Sequence, residues 1–123
     1  MKQILLILGA MLLTTNVKAQ EIVELYNFDF ESSADGWNGR GAAQITASTE
    51  CAQSGKSSLK ISGRTAVWNG ASFSASDIVS GKKYNVTCSF TFTNPAYESH
   101  TFELCADYND GSQTQYITIA SAN

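Results

Sequence analysis

From Tyr84 to Thr93 apolar and polar residues alternate without a break. Tyr84, Val86, Cys88, Phe90 and Phe92 fall on one side of an extended chain, and Asn85, Thr87, Ser89, Thr91 and Thr93 on the other. Successive side chains of a strand point to opposite faces, so this period predicts a half-buried β-strand, ended by Pro95. The same period recurs. Leu59 and Ile61 face inward against Ser58, Lys60 and Ser62; Phe102, Leu104, Ala106 and Tyr108 against Glu103, Cys105 and Asp107; Ile117 and Ile119 against Tyr116 and Thr118. Residues 43–49 fit a short strand, and the aromatic stretch 21–30 fits one or two more. Turn-forming runs separate them: 31–36, the loop 51–56 with Gly55 at its tip, Ser80-Gly81-Lys82-Lys83, and the hairpin signal Asn109-Asp110-Gly111. Beyond the first residues no segment carries a helical period. Short alternating strands with Gly-rich turns predict an all-β chain, an antiparallel β-sandwich or jelly roll.

The N-terminus has a different pattern. Lys2 precedes an apolar run from Ile4 to Leu13, and Val17-Lys18-Ala19 ends in a small residue, which reads as a secretory signal cut after Ala19. The run is short for a bilayer span. Residues 1–19 are thus expected to be removed, leaving residues 20–123 as one exported domain. Lys2 and Lys18 leave with the signal while every acid stays, so the mature chain is more acidic than the formal −3 of the full sequence. Such a balance gives no footprint for nucleic acid or an anionic membrane, and it favours neutral partners. Cys51, Cys88 and Cys105 permit at most one internal bridge, and no zinc spacing is present.

One stretch resists the core pattern. Gly63-Arg64-Thr65-Ala66-Val67-Trp68-Asn69-Gly70-Ala71-Ser72-Phe73 sets a large indole among small and polar residues. Burying Trp takes apolar neighbours and a partner for its N–H, which this stretch does not supply. The economical reading is an indole presented outward as a platform for a flat amphipathic ligand such as a sugar ring. The alternative is a half-buried Trp plugging the edge of the sandwich.

Catalysis finds little support. Glycoside hydrolysis needs two carboxylates at a fixed separation, and the acids here are scattered through turns and outward strand positions. His100, the one histidine, sits in a polar stretch with no nucleophile motif around it. The reading is a non-catalytic chain. Asn85-Val86-Thr87 fits the N-glycosylation pattern, which matters only in a eukaryotic host.

Five motifs in order then carry a resemblance. Phe30-Glu31 with Asp35-Gly36-Trp37 and Arg40-Gly41, Ser54-Gly55-Lys56-Ser57-Ser58-Leu59, the Trp68 stretch, Tyr108-Asn109-Asp110-Gly111, and Gln115-Tyr116-Ile117 resemble carbohydrate-binding modules of the family 4/9/22 group. In particular they resemble the xylan-binding family 22 type attached to endo-1,4-beta-xylanases. The resemblance spans about residues 24–121 and implies a β-sandwich jelly roll with a groove on one sheet. It implies that Arg40, Trp68 and Tyr116 line that groove, that Trp37 belongs to the core, and that the partner is xylan or a mixed β-glucan. It also implies a structural calcium ion held by Glu31 and by the backbone carbonyls of Gln53 and Lys56. Read from the residues alone, Arg40 is equally a solvated loop side chain or an ion-pair partner of Asp35, Tyr116 a surface cross-strand residue, and Glu31 a solvated carboxylate. The family pattern continues past Ser121 with further strands and acidic residues, whereas this sequence stops at Asn123. The expectation is a module lacking its last strands, short of a calcium ligand, and cut from a longer enzyme whose catalytic domain lay downstream. Rival expectations are a secreted adhesin or structural sandwich without a sugar site, and a small hydrolase.

Overall fold

A computed structural model describes residues 22–92 and 100–123; the expected signal segment, Thr93 and Pro95 lie outside the described residues. The described chain is all-β, without a helix, and every strand pairing is antiparallel, consistent with a β-sandwich. Six strands form: β1 (Asn38–Arg40), β2 (Gln44–Ser48), β3 (Ser58–Ser62), β4 (Gly70–Ser72), β5 (Phe102–Asn109) and β6 (Thr114–Ala122). They pair as β1 with β4, β2 with β3, and β5 with β6.

Local chemistry explains these pairs. Ile45 stands opposite Ile61 and Ala47 opposite Leu59, so the apolar face of β3 meets its counterpart directly. The β5–β6 hairpin closes through Asp110, whose Oδ1 accepts the backbone N–H groups of Ser112 and Gln113, both at 2.9 Å. Its Oδ2 accepts from Gln115 Nε2 at 2.7 Å. Gly111 takes φ 99°, a conformation that costs a glycine little. A bulge between Leu104 and Cys105 shifts the register, after which Asp107 faces Tyr116.

An aromatic cluster does what the expected N-terminal strand was to do. Residues 22–30 join no ladder, and their rings provide the packing. Phe28 meets Phe73 at 4.7 Å and Trp37 at 5.6 Å, both edge-on, and Tyr26 meets Phe73 at 5.1 Å. Edge-to-face contacts of this kind stabilise by about 0.5–1.5 kcal/mol beyond their buried area. Tyr26 also accepts the N–H of Asp77 at 3.0 Å and donates to its Oδ2 at 2.9 Å, tying the segment to the loop after β4. Trp37, expected in the core, is half-buried in this cluster.

The clearest sequence alternation gives a second correction. Residues 84–92 form no ladder, and Val86, Phe90 and Phe92 keep much of their surface exposed. Period 2 reports an extended chain with two unlike faces; it does not supply a neighbouring backbone. Side chains hold the segment instead: Phe90 stacks on Phe102 at 3.9 Å and Phe92 on His100 at 4.0 Å. A shallow apolar cleft lined by Val86, Phe90, Phe102, Leu104 and Ala120 runs between the segment and the β5–β6 hairpin. Ile117 and Ile119, expected inward, are half-exposed, because nothing covers that side of β6 among the described residues. The three cysteines are free and exposed.

Candidate functional site

Arg40 ends β1 and stands opposite Gly70, the first residue of β4. The turn at residues 66–69 immediately precedes Gly70, so the ladder sets the guanidinium beside the turn that carries Trp68. The turn is tied by polar contacts. Asn69 Oδ1 accepts the N–H of Thr65 at 3.0 Å, the N–H of Ala66 at 3.1 Å and the Thr65 hydroxyl at 3.2 Å. Asn69 N donates to Ala66 O at 3.1 Å, and Arg64 Nη2 donates to Val67 O at 2.8 Å. Arg64 therefore helps to orient the loop that carries Trp68.

Gly41 supplies the wall behind the indole. It has φ 66°, and a Cβ there would stand 2.6 and 2.7 Å from Trp68 Cζ3 and Cη2. Trp68 nevertheless keeps 58% of its surface exposed, and Tyr116 on β6 keeps 60%. The guanidinium joins the two rings: Arg40 Cζ lies 5.9 Å from the Trp68 ring centre and 5.1 Å from that of Tyr116. Both distances fall within cation–π range.

The three residues expected from the sequence thus come together on one face. The expected alternative partner of Arg40 is engaged elsewhere, since Asp35 accepts from Phe30 N and from the Ser33 hydroxyl, both at 2.9 Å. Among the described residues the Arg40 guanidinium has neither an ion pair nor a hydrogen bond, so its five N–H donors are left unpaired beside two aromatic rings. The site is an open face. Neither the apolar cleft on the hairpin nor the one beside Tyr84 includes any of the three residues. Such a face can stack the apolar side of a ring while donating to hydroxyls at its edge. Two contributors, Gly41 and Asn69, stand inside the family motifs but carried no assigned role there. Nothing in one sequence marks that asparagine as buried.

Glu31 reaches the loop that the expected calcium ion required. Its Oε1 accepts the N–H of Lys56 at 2.6 Å and of Ser57 at 3.1 Å. Gly55, with φ 66°, lets the loop close around that oxygen, since a Cβ there would collide with it. The donor set does not fit the ion, however. N–H groups rather than oxygens face the carboxylate. Among the described residues no three His, Cys, Asp or Glu cluster, whereas calcium takes about six to eight oxygens. The carbonyls of Gln53 and Lys56 with one carboxylate fall short of that shell.

The model of a family described as a carbohydrate binding domain matches residues 24–123. Endo-1,4-beta-xylanase Y of Acetivibrio thermocellus is 38% identical over 97 residues, 76% of this chain and 9% of that protein. Endo-1,4-beta-xylanase A of Thermotoga maritima is 34% identical over 99 residues, 80% of this chain and 9% of that protein. Endo-1,4-beta-xylanase C of Paenibacillus barcinonensis is 40% identical over 62 residues, 50% of this chain and 6% of that protein. The chain therefore corresponds to a small part of each of these relatives. No solved structure matches it.

Proposed function

The chain belongs to the carbohydrate binding domain family, and on that premise we propose that it binds a plant cell-wall polysaccharide, xylan or a mixed β-glucan, on the face formed by Arg40, Trp68 and Tyr116. The observation that carries this reading is the single guanidinium shared by two exposed rings. A sugar's C–H face lies against the negative π surface of an indole or phenol ring, and the guanidinium donates to hydroxyls or a ring oxygen. These contacts are short-ranged and made in competition with water, so the affinity is modest, about micromolar to millimolar. The relatives are named as endo-1,4-beta-xylanases and are far longer than this chain. The corresponding role here is to hold an attached glycoside hydrolase on its polymer, raising the enzyme's local concentration there. Export follows the same reading, since the polymer lies outside the cell and the first residues have the pattern of a signal.

Affinity electrophoresis in gels containing soluble xylan, β-glucan or no polymer tests this. Retardation only with polymer, lost in Trp68→Ala with the circular dichroism unchanged, is the expected result. Absence of retardation in every gel favours a protein-binding sandwich, and release of reducing sugar by the purified chain favours a hydrolase. The ligand is uncharged, so salt should change the binding little.

A further inference from the structure

We infer that Asn69 is the positioning residue of the sugar platform, fixing the Trp68 indole against Gly41 and beside Arg40 through one buried amide oxygen; this rests on the reading of Arg40, Trp68 and Tyr116 as the binding face. An exposed turn carrying a large ring needs an anchor, and apolar packing does not supply one here. Val67 is 93% exposed, Trp68 itself more than half so, and Thr65 and Ala66 bring no bulk. Asn69, between them and β4, is 3% exposed, the only buried polar residue among those described. Three donors converge on its Oδ1, two of them backbone N–H groups that would otherwise be left unpaired.

The position of Asn69 in the chain gives this anchor its effect. The residue before it is Trp68; the residue after it, Gly70, is the ladder partner of Arg40. Its amide nitrogen packs against Gly41, the same residue that backs the indole. One side chain therefore ties the turn, the wall behind the ring and the register of the cation. Without Oδ1 the N–H groups of Thr65 and Ala66 turn to water and the loop opens. The indole then leaves Gly41 and the guanidinium, while the aromatic cluster around Trp37 stays packed.

The sequence holds two tryptophans, so 5-fluorotryptophan labelling gives two fluorine resonances, assigned with Trp68→Phe. In Asn69→Ala the Trp68 resonance should move to the position of a solvated indole and the Trp37 resonance should stay. Xylan affinity should fall about tenfold or more. Asn69→Asp keeps an acceptor for the same three donors, so at neutral pH both the native Trp68 resonance and the affinity should be restored to within about threefold. An unmoved Trp68 resonance in Asn69→Ala overturns the proposal. Collapse of both resonances also overturns it, making Asn69 a folding residue, as does an Asn69→Asp protein that behaves like the alanine variant. If the unaltered chain is retarded by no polysaccharide, the sugar reading fails by itself, and the resonances still decide whether Asn69 positions the ring.

Discussion

Arg40 stands directly opposite Gly70 in the β1–β4 ladder, so the cation and the turn that presents Trp68 share one register. Tyr116 reaches the same guanidinium from a separate hairpin. The guanidinium is thus the joint between two parts of the chain that share no ladder. Arg40→Ala removes two cation–π contacts, worth about 0.5–1 kcal/mol each at exposed sites, along with the donors for sugar hydroxyls. Calorimetry with xylo-oligosaccharides should show at least about a tenfold loss of affinity with little change in melting temperature. Arg40→Lys should restore only part of it, because an ammonium keeps the charge but not the planar fork that stacks.

Gly41 is held to glycine by both its backbone and the space around it. An alanine there incurs roughly 1–2 kcal/mol for its left-handed backbone and drives its methyl into the indole. Gly41→Ala should therefore lower the melting temperature modestly and abolish retardation by polymer. The Trp68 emission should shift to the red as the ring leaves its wall. Unchanged binding in this variant would show that the indole tolerates another pose.

How much of this was legible beforehand depends on what each element needs. β3, β5 and β6 were legible because their period is local, and the Asp110 turn because its chemistry is local too. The segment 84–92 had the strongest period and no ladder, since pairing is decided by a distant backbone that the period does not name. Arg40, Trp68 and Tyr116 were brought forward by family motifs, and the Trp68 stretch also by its lack of apolar neighbours. Asn69 and Gly41 lie in the same motifs, but their roles were not legible, because burial of a polar side chain and the clearance around a glycine are properties of the folded turn. The exposure of Ile117 and Ile119 was equally invisible: alternation gives a side, not what covers it.

Glu31 provides a test of the calcium expectation. Its Oε1 closes the loop through two N–H groups, and among the described residues it belongs to no cluster of three acidic, His or Cys side chains. Charge-assisted hydrogen bonds of this kind are the stronger sort, each worth about 1.5–3 kcal/mol. Since these groups are exposed, the net loss should fall at or below the low end of that range. Glu31→Ala should lower the melting temperature, and Glu31→Gln should recover part of the difference. Adding calcium or a chelator should shift the midpoint of the unaltered chain by less than about 1 °C, because one carboxylate with the carbonyls of Gln53 and Lys56 falls short of the shell of about six to eight oxygens that the ion takes. A clear rise with calcium would mean that water or residues outside those described complete a shell.

Asp110 controls how the hairpin bearing Tyr116 answers to acid. The backbone N–H of Gln113, then that of Ser112, then the Gln115 amide and the Ser112 hydroxyl hold its carboxyl well below the usual carboxylate range. These donors favour the charged form, so the unfolded chain binds the proton more readily than the folded one. The contribution to stability is therefore complete above the unfolded value of about 3.9 and is lost as pH falls toward the folded value. Lowering the pH from about 6 to about 3 should leave the side-chain carboxyl carbon of Asp110 at its ionised chemical shift, while an ordinary aspartate titrates. Asp110→Asn removes this dependence, so the melting-temperature gap between the two proteins should narrow as the solution is acidified. A gap that stays constant, or an Asp110 carbon that titrates with the other carboxylates, would show that the turn's N–H groups are not directed at a charge.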